Sequence, residues 1–454
     1  MFLSLSLLLL FVPSISTNRF ISGRWINEGN PRRVEGEANA DTLRFVQLLW
    51  RHGDRTPAVL IPTDKENGEE TWPEGLGELT TVGMAQQHRL GKWLKGRYGK
   101  FLGEKWDRKA MHIRSSDYNR TLMSAQANLA GLFPPSDGEK FDKSIGWQPI
   151  PVHTVPRDID VQLYEEIHCP TAEKDRDAIF DESPRAKQVE KEYEELLKFL
   201  AEKTGIADLR LKNVWTVFDA LNAELCHNST HKWPSWVNSS LWESIVKVYD
   251  DSSRLSFHTD VLRRLRGGPL VHEILDRFTQ KKEGQKEMKK MKMYAYSAHD
   301  TTLAAILATF GIFPTRFPLY ATAIAIEMHQ KGDEYFVEEE EKKRGKGKEI
   351  IKMYHKNVTD SEDAFKHEME GCPSPCRLDT LKKAMSPYAP SNWSEECGLT
   401  RDNTIRYIVA IGVLGMTTLI FGSILAVDIF LKYRNPRPRS SSSRLLDEEE
   451  TIDT

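Results

Sequence analysis

The sequence predicts an α/β fold in which a mixed central sheet carries helices on both faces, joined to a smaller α-helical cap domain and to a single C-terminal transmembrane helix. Three observations predict it. Apolar runs at 43–50 (LRFVQLLW), 110–113 (AMHI) and 293–296 (MYAY) each stop at a cluster of polar and charged residues, as buried strands feeding loops do. Between the second and third runs the chain changes to helix-spaced Leu, Val, Phe and Trp with dense Glu and Lys between them. Residues 407–427 form an uncharged stretch long enough to cross a hydrocarbon core of ~30 Å as a helix.

From the N-terminus, residues 1–16 hold the apolar block LSLLLLFV and end on small residues at cleavage spacing, which reads as a secretory signal peptide although a basic n-region is missing. Residues 17–40 are polar and aperiodic and read as an arm before the first strand. The main domain is expected over 41–404, with the helical cap at roughly 157–285. The transmembrane helix follows at 405–427 and a cytosolic tail at 428–454. Lys432, Arg434, Arg437, Arg439 and Arg444 follow the span, against Arg401 and Arg406 just before it, so the positive-inside rule puts the tail in the cytosol. The expectation is a single-pass type I protein whose mass is luminal or extracellular. The tail is basic, then Ser-rich, then acidic; Leu445 and Leu446 read equally as a sorting signal or as incidental residues of a disordered tail. Lysosomal, endosomal and plasma-membrane destinations stay open.

A 39% hydrophobic and 28% charged chain has enough apolar residues for a large core, and a net charge of −3 over 454 residues gives no sign of nucleic-acid binding. Five cysteines in an oxidising compartment suggest disulfides with one thiol left over. Asn119, Asn228, Asn238, Asn357 and Asn392 open glycosylation sequons.

The first strand-like run ends in Arg51-His52-Gly53-Asp54-Arg55-Thr56-Pro57. Two guanidiniums around an imidazole offer fork-shaped donors to a phosphate or carboxylate, and the imidazole is a candidate nucleophile or base. Taken alone, the stretch is equally a solvated charged turn. Residues 79–98 then carry apolar and small residues at helical spacing, fitting a helix packed behind that loop. The second run leads into RSSDYNRT (114–121), where Arg114 stands at an expected helix start. A cation there gains nothing from the helix dipole, so an anion is the better reason for it. Residues 147–156 are extended by their prolines, and His153 within them reads as a structural histidine. Segments 183–205, 211–225 and 240–266 have helical periodicity. The third run ends in Ser297-Ala298-His299-Asp300-Thr301-Thr302; residues 320–327 and 335–338 read as strands, and 339–348 (EEEKKRGKGK) as a solvated insertion.

RHGDRTP, the following WPEGLGELT (72–80), RSSDYNRT and SAHDTT resemble the histidine acid phosphatases, branch 2 of the histidine phosphatase superfamily, especially the lysosomal and prostatic type. The resemblance implies hydrolysis of phosphate monoesters without metal or cofactor. It carries His52 over as nucleophile and Asp300 as proton donor, with Arg51, Arg55, Arg114 and His299 binding the substrate phosphate. Asp54 is expected to orient its flanking arginines, and the Asn119 sequon, so near the site, to go unused. By the same resemblance Cys169 pairs with Cys397 and Cys372 with Cys376. Ala323 stands where related enzymes carry the partner of the cysteine matching Cys226, which leaves Cys226 unpaired. The 169–397 bond closes a very long loop, worth about 4 kcal/mol or more in the chain-entropy model. Partners expected are small phosphate monoesters and the membrane, with no nucleic acid; the family also admits a homodimer. A phytase-like member is the runner-up enzyme. A phosphatase-like receptor or adhesion ectodomain without catalysis is the alternative from another class.

Overall fold

The computed structural model describes residues 32–34, 36–313, 316–330, 350–356 and 364–434. The signal peptide, the strand expected at 335–338, the insertion at 339–348, Asn357 and the tail beyond 434 lie outside them. Seven strands form one mixed sheet: β1 (Arg32–Val34), β2 (Leu43–Arg51), β3 (Met111–Ser115), β4 (Met293–Ala298), β5 (Ala323–His329), β6 (Ile350–Lys356) and β7 (Ala364–His367). Their order is β1-β7-β6-β5-β2-β4-β3. β2 and β3 both run parallel to β4, while β5 runs antiparallel to β2 and begins the antiparallel half. The arm is therefore shorter than expected, because its Arg32–Val34 pairs with β7 as an edge strand.

The helices are α1 (Thr81–Leu102), α2 (Asn119–Leu132), α3 (Pro170–Glu182), α4 (Pro184–Glu192), α5 (Glu194–Thr204), α6 (Trp215–Cys226), α7 (Ser239–Leu255), α8 (Asp260–Leu262), α9 (Gly268–Lys282), α10 (Asp300–Thr309), α11 (Leu378–Met385), α12 (Trp393–Glu396) and α13 (Leu399–Arg434). Alternation along β2 explains how the sheet is covered twice. Phe45 and Leu49 pack with α9, α10 and α11, while Val46, Leu48 and Trp50 pack with α1 and α2. A strand buried on both faces reads as an unbroken apolar run, which is why 43–50 is legible.

The helical segment divides in two. α6 and α7 meet through Phe218, whose ring stacks on Tyr249 at 3.8 Å and on Trp242 at 5.4 Å. α9, inside the range expected for the cap, contributes Leu270, Ile274 and Phe278 to the core with Phe45, so it flanks the sheet. The segment at 240–266 is not one helix: it breaks after Leu255, resumes as α8 at Thr259, whose hydroxyl accepts from Leu262 N, and passes through a π turn at Arg263–Gly267.

Two compact units result. One spans 36–168 and 172–391; the other comprises 169–171 and residues from 392 on. In the second, Cys169 is bonded to Cys397, closing a sequence separation of 228, and α13 carries an apolar stretch, Arg406–Lys432, of mean hydropathy 2.3. Its large apolar side chains are exposed, among them Leu419 at 73% and Phe421 at 72%, and the stretch is long and apolar enough to cross a membrane. In the first unit Cys372 is bonded to Cys376, and Cys226 is a free thiol. Asn228, Asn238 and Asn392 are exposed.

Candidate active site

The parallel strands β2, β3 and β4 end at one edge of the sheet, and the loops and helix starts beyond those ends build the site. His52 is fixed by its backbone: its N–H donates to Ala298 O at 3.0 Å, and its carbonyl accepts from Ala321 N at 3.0 Å. The loop after it lies hard against the start of α1. A Cβ on Gly53 would stand 2.2 Å from Gly83 O, and one on Gly83 would stand 2.1 Å from Asp54 O, so only glycines allow this approach. Thr80 caps α1 by accepting from Gly83 N, and its hydroxyl donates to Asp54 Oδ2 at 2.5 Å.

The imidazole of His52 is 2% exposed. Its Nδ1 lies 2.8 Å from Gly53 O, and since a carbonyl only accepts, the proton is on Nδ1 and the lone pair on Nε2. Burial pushes His52 well below the ordinary imidazole value, and the charges of Arg120, Arg51 and Arg55 push it further, with His299 adding to them. His299 stands with ring centroid 5.7 Å from that of His52 and is lowered by burial and the same three arginines. Arg120 Nη2 donates to His299 Nδ1 at 3.4 Å, so the Nε2 proton of His299 goes to Ser116 Oγ at 2.8 Å.

The arginines are held differently. Arg51 donates to Pro318 O at 2.6 Å, stacks over Tyr320 at 4.3 Å and pairs with Asp300 at 2.9 Å. Arg55 is clamped by Asp219 through two bonds, 2.7 and 3.1 Å; burial works against its charge, but Asp219 outweighs burial and holds it above the usual range. Asp300 opens α10 with its Oδ1 on Thr301 N at 2.9 Å.

Arg114, expected at the phosphate, lies within β3 and is spoken for: Asp160 at 2.5 Å, Gln162 at 3.3 Å and Glu273 at 3.8 Å. Arg120, by contrast, leads the arginines whose charge depresses both His52 and His299. The bonds of Arg120 are long, 3.4 Å to His299 and 3.5 Å to Gly77 O; its Nε is buried without a partner, and among the described residues none of its bonds goes to a carboxylate. A cation does stand at the helix start beside the site, but it is Arg120, the second residue of α2, which begins at Asn119. Tyr118 escapes the sequence reading altogether: its ring meets His299 edge-on at 5.0 Å and carries Arg120 and Arg157 at 4.4 and 4.5 Å.

Asp54 does not orient its neighbouring arginines; its buried carboxylate is bonded to Thr80 and to His227 Nε2 at 2.7 Å. His153 is exposed and stacks on His112 at 4.7 Å. Asn119 is exposed and donates to Glu78 at 3.2 Å. Chemically, the site is a neutral imidazole with a free Nε2, ringed by three guanidiniums and the N-termini of two helices, with one carboxyl group at its edge: a receptor for a tetrahedral anion.

The model of the histidine phosphatase superfamily (branch 2) matches residues 42–354. Putative acid phosphatase 5 of Caenorhabditis elegans is 46% identical over 411 residues, 90% of this chain and 92% of that one. Lysosomal acid phosphatase of Rattus norvegicus is 34% identical over 87% of this chain and 90% of its own, and prostatic acid phosphatase of Bos taurus is 34% identical over 81% and 90%. Among solved structures, the apo Hafnia alvei phytase superposes with a TM-score of 0.59 at 16% identity, covering 79% of this chain and 99% of that one, a likeness of fold.

Proposed function

The chain belongs to branch 2 of the histidine phosphatase superfamily, and from that membership and the site geometry we propose that it hydrolyses phosphate monoesters at acid pH through a phosphohistidine on His52, with the catalytic unit luminal or extracellular and α13 crossing the membrane. The observation that carries this reading is the neutral His52, its Nδ1 proton spent on Gly53 O and its Nε2 among arginine charges.

The Nε2 lone pair attacks phosphorus in line, the P–N bond forms, and the bond to the leaving oxygen breaks. Arg51, Arg55 and Arg120 take up the charge on the non-bridging oxygens, and His299 joins them once Arg120 turns from its Nδ1 to the phosphate and that nitrogen gains a proton. Arg120 replaces Arg114 in this role because its guanidinium is unneutralised and lies at the site. Asp300 gives its proton to the leaving alkoxide. A bound phosphate competes with Asp300 for Arg51 and so frees the carboxyl for that transfer. Water then attacks phosphorus, Asp300 recovers a proton from it, the P–N bond breaks, and inorganic phosphate and neutral His52 result.

The test is phosphate release from a generic aryl phosphate, measured from acid to neutral pH on the chain and on a His52→Ala variant. Release that peaks at acid pH and vanishes in the variant supports the proposal. Folded wild-type protein without release puts the receptor or adhesion reading in its place.

A further inference from the structure

We infer that His227 is a positioning residue of the site: as the cationic partner of buried Asp54 it holds the loop carrying His52 and Arg55 in working geometry, and it withdraws that support as conditions turn from acid to alkaline. The inference rests on the phosphatase reading. The Asp54 side chain is 0% exposed, yet both neighbouring arginines are committed elsewhere, Arg51 to Asp300 and Arg55 to Asp219. A carboxylate taken wholly out of water is costly without a cation. Its Oδ2 takes the hydroxyl of Thr80 and, at 2.7 Å, His227 Nε2. Among the described residues His227 is the one ion-pair partner of Asp54.

The connection to chemistry is short. The Asp54 peptide joins Gly53, whose carbonyl fixes the His52 ring, to Arg55. One cap helix grips this loop at two points. α6 supplies Asp219, which holds Arg55 and also accepts from Ala58 N at 2.7 Å, and its C-cap is His227. An imidazolium is favoured at that end of a helix.

Around His227 stand Asp54, Glu74, the Trp72 ring edge-on at 5.5 Å, His231 at 6.2 Å and the neighbouring Cys226, whose thiol burial and Asp54 push up so that it stays protonated. His231 is stacked on Trp72 at 3.7 Å, bonded to Thr71, and lowered by burial. His227 itself is raised by its bond to Asp54, against burial, with the charges of Asp54 and Glu74 adding to the rise. A histidine raised in the folded state contributes fully below its unfolded value and loses that contribution as pH climbs through the raised one.

The experiment compares kcat/KM of the full chain in detergent with that of His227→Gln, which keeps a donor to Asp54 without the charge, on one aryl phosphate from pH 4.5 to 8. The ratio of the two at each pH cancels ionisation of substrate, His52 and Asp300. A ratio of ~10 at pH 5 falling towards 1 at pH 8 is expected, roughly one pKa unit's worth of interaction. A ratio constant with pH marks a merely structural residue, and a ratio of 1 at pH 5 marks no role; either overturns the inference. Should the wild type release no phosphate, or the variant not fold, the His227 imidazole is titrated by NMR in the wild type. A value above that of an ordinary imidazole is expected, and an ordinary or lower one overturns the inference without bearing on whether the protein is a phosphatase.

Discussion

His52 donates its Nδ1 proton to the carbonyl of Gly53 at 2.8 Å, and that bond decides which nitrogen meets phosphorus. The surrounding cations then keep the ring from protonating. Both effects come from residues adjacent in sequence to His52 or brought to it by the ends of parallel strands.

Anion binding and proton uptake are therefore coupled. Burial and arginine charge set His52 and His299 well below the ordinary value, so each is neutral where an unfolded chain's histidines begin to protonate. The stability they contribute is present above the unfolded imidazole value and is lost as pH falls towards the folded one. An anion among the arginines relieves the repulsion and lets His299 take up a proton, while His52 keeps its Nε2 lone pair. Sulfate, whose charge is constant over this range, is expected to bind more tightly at pH 5 than at pH 7, with net proton uptake in calorimetry run in two buffers. Affinity independent of pH would count against the electrostatic account.

Arg120 and Arg114 separate binding from structure. Arg120→Ala is expected to lower kcat/KM by ~10²-fold or more with little change in melting, since it removes a donor to the transferring group. Arg114→Ala is expected to leave Asp160 buried and unpaired, at about 3 kcal/mol in stability, with a much smaller effect on turnover of the folded fraction. Kinetics and thermal melting of both variants decide it; the reverse pattern would return the phosphate role to Arg114.

Asp300→Asn should penalise poor leaving groups selectively. An alkyl phosphate is expected to lose ~10²-fold or more in kcat/KM and a nitrophenyl phosphate about tenfold or less, because only the first needs its leaving oxygen protonated. Equal losses on both would remove Asp300 from the donor role.

Gly83→Ala tests the seat of the loop on α1. Its Cβ would stand 2.1 Å from Asp54 O with backbone on both sides, so the loop must move; about 3 kcal/mol of stability and most of the activity are expected to go together. Wild-type melting and activity in this variant would show that the loop is not held there.

Much of this is legible in the sequence because strand ends and punctuation are local. The run at 43–50 reads as one strand since its two faces are both covered, and RHGDRTP and SAHDTT announce the groups that stand beyond the strand ends. Which arginine of RSSDYNRT lies beside His52 is not legible. That depends on where β3 stops and α2 starts: Arg114, expected at the helix start, is the fourth residue of the strand, and the helix begins five residues later. Asp219, Asp160 and His227 escape for another reason. Each comes from a distant segment, and nothing near it in sequence marks it as the partner of Arg55, Arg114 or Asp54.

The most direct measurement is rapid acid-free quenching of the full chain with a radiolabelled aryl phosphate at pH 5, followed by peptide mapping under alkaline conditions that preserve phosphohistidine. Label on the peptide containing His52, formed faster than turnover and absent in His52→Ala, is the predicted result. Turnover by the wild type without label on that peptide, or label retained when His52 is replaced, would contradict the account.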